Sequence, residues 1–262
     1  NHATVAPFIS RQLIQRFVTS NPSPAYIQRI ATVFNNNGSG VRGDLAAVIR
    51  AVLMDSEARA APSGNFGKVR EPVLRMSAIW RGLDVIQGQP VPAGTGDVGN
   101  VTMGLGFDTS FNQRAYSSPT VFNFYEPDYQ NPGTLQTANL YAPEFQILNE
   151  STITRMNDTI QNLASNWYVG SNNCNTTVTR PCVQFTPYVT ILQQTGNATT
   201  YGQLVDELNL RLMYGSMSAS MRTVLVNMLT SQAAPTTDAT RIQRIQQLLR
   251  VIVVSPEFAV QQ

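Results

Sequence analysis

The sequence predicts a mostly α-helical fold, an irregular multi-helix bundle with long ordered loops and at most a short β hairpin. Three observations carry this reading. Apolar residues recur three and four positions apart through most of the chain, residues suited to helix N-caps stand ahead of those segments, and the stretches between are rich in Gly, Pro and Asn. Of 262 residues, 42% are hydrophobic, ample material for a core.

In chain order, Val5, Phe8, Ile9, Leu13 and Phe17 share one helical face, with Arg11, Gln12, Gln15 and Arg16 opposite, so the apolar face is expected to be the buried one. Ser23 and Pro24 supply an N-cap and a proline at the first helical position for a helix carrying Ile27, Ile30, Ala31 and Phe34, which Asn35 to Gly40 ends. Asp44 caps a third helix with Leu45, Val48, Ile49, Val52 and Leu53 on one stripe. After a loop, Glu71 and Pro72 open a fourth, with Val73, Met76, Trp80 and Leu83 inward and Arg70, Arg75 and Arg81 facing carboxylates or solvent.

From Gln87 to Asn112 the composition shifts to Gly, Pro, Val and Thr, which predicts a long loop. Helical spacing resumes in Ile153, Met156, Ile160, Leu163 and Trp167, on a helix expected to begin near Pro143 and to be the longest. Thr200 and Gln203 read as a capping box ahead of Leu204, Leu208 and Leu212, with Gly215 as the stop. Ser218 caps a helix bearing Met221, Val224, Leu225, Met228 and Leu229. The last helix runs from about Thr237 to Val254, with Ile242, Ile245, Leu249 and Ile252 inside and Pro256 beyond it. No internal repeat is legible. The expected organisation is one helical domain over 1–262, with a helical half at 1–86, a loop-rich insertion at 87–142 and a second helical half at 143–262.

The stretch from Ser118 to Glu150 differs from the rest. Phe122, Phe124, Tyr125 and Tyr129 cluster around Pro119, Pro127 and Pro132, so a helix is disfavoured and the rings must cover a surface. Two readings stand. The aromatics plug the end of a helix bundle, or they line a ligand cleft with Glu126, Asp128 and Glu144 as its polar groups.

Charge narrows the function classes. Only 13% of residues are charged, about half the usual share, and Asn, Gln, Ser and Thr take their place, a composition associated with extracytoplasmic proteins. The 18 basic residues are spread singly, which argues against nucleic acid. No apolar run is long enough for a membrane span. Cys174 and Cys182, eight positions apart in a polar segment, suit a local disulfide and an oxidising compartment.

Catalytic signatures are sparse. His2 is the sole histidine, so no triad or histidine metal site can be built from this chain. Gly94, Gly96 and Gly99 match the dinucleotide spacing without its strand and helix, and GNFGK ahead of Val69 lacks the rest of a phosphate loop, so no cofactor is expected. Glu126 and Asp128 are too few for a calcium cage, so no metal is expected.

The segments HATVAPFISRQLIQRFVTSNPSPAYIQRIATVF, GDLAAVIRAVLMDSEAR, REPVLR, SPTVFNFYEPDY, APEFQI and VSPEF together resemble, in order, the second half of a bacterial family known as domain of unknown function 1800. That resemblance implies a helix-rich exported bacterial protein, often encoded beside an exported family of sulfatase-like character. It carries no catalytic residues over, and it implies that the chain is the C-terminal part of a larger one. The expected role is a structural or binding module in a cell-surface or periplasmic assembly. Its partner would be its own N-terminal half, another exported protein or a glycan. The alternative is part of a hydrolase whose site the missing half completes, using Glu126, Asp128 or Glu144.

Overall fold

The computed structural model describes residues 2–84, 86–87, 111–114, 116–121, 123–166, 181–194 and 198–261. Phe122, Cys174, the glycines at 94, 96 and 99 and the side chain of Cys182 lie outside these, and so do the loop expected over most of 87–112 and the disulfide. The described chain is mostly α-helical, as expected, and forms two compact units. One unit draws on Asn1–Arg70, Tyr116–Asn149 and Val260–Gln262, the other on Glu71–Ala115 and Glu150–Ala259.

The first unit is built on α1 (Val5–Phe17), α2 (Pro24–Asn35), α3 (Leu45–Met54) and the single turn α4 (Ser56–Arg59). The N-caps are those the sequence marks. Ser23 Oγ accepts from Tyr26 N at 3.1 Å, and Asp44 Oδ1 accepts from Ala47 N at 3.1 Å. Ala6, Ile14, Val18, Tyr26, Ile30, Ala31, Phe34, Val48 and Val52 form the core. Tyr26 Oη reaches the Val52 carbonyl at 2.6 Å, and burial pushes its phenol well above the ordinary range. Strand β1 (Lys68–Val69) pairs antiparallel with β4 (Val260–Gln261), in the register Lys68 to Gln261.

The face of α1 differs from expectation. Ala6, Ser10, Ile14 and Gln15 are buried, while Val5, Phe8 and Phe17 are 39%, 55% and 43% exposed. The helix has apolar residues on more than one side, and its buried stripe begins with its smallest members, Ala6 and Ser10. Small side chains let helices approach closely, which outweighs the larger transfer energy of Val5 and Phe8.

The second unit contains α5 (Pro72–Gly82), α7 (Glu150–Asn166), α8 (Thr186–Gln193), α9 (Ala198–Met213), α10 (Ala219–Thr230), α11 (Asp238–Val254) and the turn α12 (Pro256–Ala259); α6 (Thr134–Thr137) belongs to the first. Helix α9 packs against α5, α8 and α10, and α11 against α7 and α8. Strands β2 (Ile86–Gln87) and β3 (Pro181–Cys182) pair antiparallel. Both two-residue pairings join distant segments, so neither is a hairpin.

Three local expectations change. Thr200 is buried inside α9, which begins at Ala198, and among the described residues of this unit a capping box is formed instead by Thr237, the N-cap of α11, with Thr240 in its first turn. The helix expected from Pro143 starts at Glu150, after a 3-10 turn over Pro143–Gln146, and α11 equals its 17 residues. Arg75 does not face solvent. It is buried, and its Nε and Nη2 donate to the Val253 carbonyl at 3.2 and 2.6 Å, supplying a partner for the end of α11.

Two predictions follow from this packing. A Cβ on Gly82 would lie 2.7 Å from the Arg211 carbonyl oxygen and 2.9 Å from Leu212 Cδ2, whereas on Gly202 it would meet only the Arg222 guanidinium tip. Chemical denaturation should show Gly82→Ala destabilising by about 1–3 kcal/mol and Gly202→Ala neutral or stabilising by up to about 1 kcal/mol. Asp55 accepts two bonds from Arg29, at 2.8 and 2.7 Å, and caps α4 through Glu57 N; these partners hold its carboxyl below the usual range. A depressed carboxylate contributes stability above its unfolded pKa and loses it as pH falls through the folded value. Asp55→Ala should therefore cost about 1 kcal/mol at neutral pH, and the gap to wild type should close as melts are taken below the ordinary aspartate range.

Candidate functional site

The aromatic stretch lies across α1 of the first unit and is held there by polar contacts at both ends. Asn21 brackets Tyr141, donating to its carbonyl at 2.9 Å and accepting from its N–H at 2.8 Å. The Arg11 guanidinium sits 4.5 Å from the Tyr141 ring centre. One turn and a half further on, Arg16 lies 4.3 Å from the Tyr125 ring centre and donates to its hydroxyl. The strap closes on itself through Ala142 N to the Tyr129 carbonyl at 2.9 Å and Glu126 N to Gln146 Oε1 at 2.7 Å. Left-handed backbone at Tyr116, Asn123, Gly133 and Asn139 lets it change direction.

Beneath the strap sits a buried ion pair. Lys68, the chain's only lysine, has a side chain with no exposed surface; its Nζ lies 3.6 Å from Glu144 Oε1 and donates to the Arg16 carbonyl at 2.9 Å. Glu144 is 2% exposed, placed by the 3-10 turn that Pro143 starts. The pair thus joins β1, the C-terminal turn of α1 and the strap.

Gln15 completes the arrangement. Its Nε2 donates to the Ser20 carbonyl and to the Pro127 carbonyl, each at 3.0 Å. Two acceptors on one side of the amide fix which end is nitrogen, so Oε1 must point the other way. That oxygen is buried and has no hydrogen-bond partner among the described residues. The Gln15 side chain lines a cleft together with Gln12, Arg16, Tyr125, Pro127, Pro143 and Glu144, with a volume of about 10 Å³. This is space for one water-sized group.

Of the residues singled out in the sequence, Tyr125 and Glu144 come together in this cleft. Phe124 and Tyr129 are half-buried in the strap but do not line it, and Glu126 and Asp128 are exposed and stand outside it. Gln12, Gln15, Arg16 and Lys68 were not legible as site residues. The one available signal was a single lysine in a chain otherwise using arginine. Among the described residues no group of three or more His, Cys, Asp or Glu is placed to hold a metal, and His2 is exposed, with Nδ1 2.8 Å from Thr4 Oγ1.

The family described as "Protein of unknown function (DUF1800)" matches residues 1–260, so the chain belongs to that family, in agreement with the motifs quoted above. No curated protein and no solved structure matches it. Among the described residues no helix is long and apolar enough to cross a membrane.

A buried charge stripped of its counter-charge costs far more than the pair contributes. Lys68→Met alone and Glu144→Leu alone should each destabilise by about 3–5 kcal/mol in urea unfolding, and the double replacement by less than either. In the native protein an amine-directed reagent should leave Lys68 unmodified and should label it once the first unit unfolds.

Proposed function

We propose that this family member is a binding module of an exported assembly, and that the cleft between α1 and the strap takes a hydroxyl group of a glycan or similar polyol. The observation that carries the reading is Gln15 Oε1, a buried acceptor on a cleft-lining side chain, with no hydrogen-bond partner among the described residues. A buried acceptor left without a partner costs about 1–3 kcal/mol, and a group that donates to it recovers that energy.

The chemistry of the walls narrows the ligand. Among the lining residues Arg16 is positive, and the one carboxylate, Glu144, is already paired with Lys68, which disfavours an ammonium ion. A hydroxyl donates to Gln15 Oε1 and accepts in return, and the space fits a single oxygen. Tyr125, Pro127 and Pro143 offer flat apolar surfaces to the carbon skeleton that bears it. A water in the same place makes similar bonds, and a ligand hydroxyl that reproduces them loses nothing on displacing it. Low charge across the chain and the Asn- and Thr-rich composition support an exported location.

The rival reading, a hydrolase site using Glu144, has a carboxylate already engaged by Lys68. Screening the protein on a glycan array and titrating the hits by calorimetry tests the proposal. Binding should fall at least tenfold in Gln15→Met and stay unchanged in Glu126→Ala and Asp128→Ala. Wild-type affinity in Gln15→Met, or no hydroxyl-bearing ligand on the array, would remove the proposal; cleavage of a hit that stops in Glu144→Gln would favour the hydrolase.

A further inference from the structure

Among the described residues the same clasp occurs in each unit. In the first, Ser23 N and Oγ donate to Glu57 Oε1 and Oε2 at 3.0 and 2.5 Å, while Ser23 Oγ accepts from Tyr26 N at 3.1 Å. In the second, Ser218 N and Oγ donate to Glu257 Oε2 and Oε1 at 2.8 and 2.6 Å, while Ser218 Oγ accepts from Met221 N at 3.1 Å. One serine caps its helix and is in turn gripped by both oxygens of one glutamate. Each glutamate is the second residue of a single helical turn, Ser56–Arg59 or Pro256–Ala259.

The order of the surrounding elements matches as well, while the packing of the third helix does not: α3 packs on α1 and α2, whereas α11 packs on α7 and α8. In both units a long helix precedes the serine, the serine starts a 12-residue helix, a side-chain-capped helix follows, and the glutamate's turn comes directly after it. Buried residues hold the same register. Seven and eleven positions after the serine stand Ile30 and Phe34 in one unit and Leu225 and Leu229 in the other. Five and nine positions before the glutamate stand Val52 and Val48, and Ile252 and Leu248. The caps of the third helices, Asp44 and Thr237, each accept from the N–H three residues on.

We infer that the chain contains two copies of one four-element helical module, residues 5–59 and 198–259, each closed by the serine–glutamate clasp. This corrects the expectation of no internal repeat. A fixed period is missing because 34 residues separate the clasp partners in one copy and 39 in the other. The third helix has 10 residues in one and 17 in the other. Repeat detection needs a constant offset, and insertions between the anchors erase it. Coincidence would have to supply two capped serines, two bidentate glutamates, the same element order and four matched buried positions together.

Copies of one module have clasps of the same energetic kind and second helices that exchange in register. The first test is a pair of double-mutant cycles in the full chain, Ser23→Ala with Glu57→Ala and Ser218→Ala with Glu257→Ala, read by hydrogen exchange in the helices of each unit. Each cycle should show a favourable coupling worth about tenfold or more in the opening equilibrium, confined to its own unit. The second replaces residues 218–229 by the sequence of residues 23–34, beside a control graft displaced by one residue. The in-register graft should keep cooperative unfolding and exceed the control in protection by at least tenfold. Coupling in one clasp and not the other, or equal protection in the two grafts, would overturn the inference.

Discussion

An ammonium group without water must be given a carboxylate and hydrogen-bond acceptors by the protein itself, and in the first unit Lys68 imposes that demand. Its partners come from elsewhere in the chain, the carbonyl of Arg16 at the end of α1 and the carboxylate of Glu144 in the strap. Ion pairs of this kind contribute little net stability against an apolar replacement, but they are intolerant of any arrangement in which one partner is missing. The pair therefore selects a geometry more than it strengthens one. With Lys68 fixed by the pairing of β1 and β4, Glu144 has one place to go, and the strap follows it across α1. The cleft is what remains between α1 and a strap held in that way.

The strap is a costly piece of chain to order. It has one four-residue helix and one 3-10 turn over more than thirty residues, and two of its left-handed positions are asparagines, the residue type after glycine that tolerates them best. Tyr116 in the same region has no such excuse. Irregular backbone that is nevertheless tied down by arginine–tyrosine stacking, an Asn21 bracket and a buried ion pair is where binding residues concentrate on helical scaffolds.

Legibility in the sequence tracked the range of the interaction involved. Ser23, Asp44 and Ser218 were readable as caps because a cap is decided within four residues. The end of α9 before Gly215 was equally local. The inward face of α1 was not, because it carries apolar residues on two sides and the choice was made by how closely α2 and α3 could approach Ala6 and Ser10. The burial of Arg75 and Lys68 is hidden in the sequence for the same reason. Their acceptors lie 178 and 52 residues away, and nothing in their neighbourhood announces them. Tyr125 and Glu144 were reached from composition alone, as members of an aromatic stretch whose polar groups had to face something, while Gln15 looked like one more solvent-facing amide on a helix.

The paired clasp explains why the two units differ in what they offer a ligand. In both, the serine–glutamate contact turns the second helix back against the single turn that follows the third, so each module is closed by its own bonds. The long helix ahead of the serine is then left to be covered by whatever segment the rest of the chain provides. Among the described residues of the second unit that cover is helical: α9 packs on α5 so tightly that Gly82 has no room for a Cβ, and Arg211 is held by Glu207 and Asp84 at 2.5 and 2.6 Å. In the first unit it is the irregular strap, and helix meeting irregular chain leaves the notch that the Gln15 side chain helps to line. Regular elements interdigitate to near-crystalline density, whereas a strap pinned at a few polar contacts does not. Among the described residues, the copy covered by helices is therefore closely packed, and the copy covered by the strap keeps a cleft.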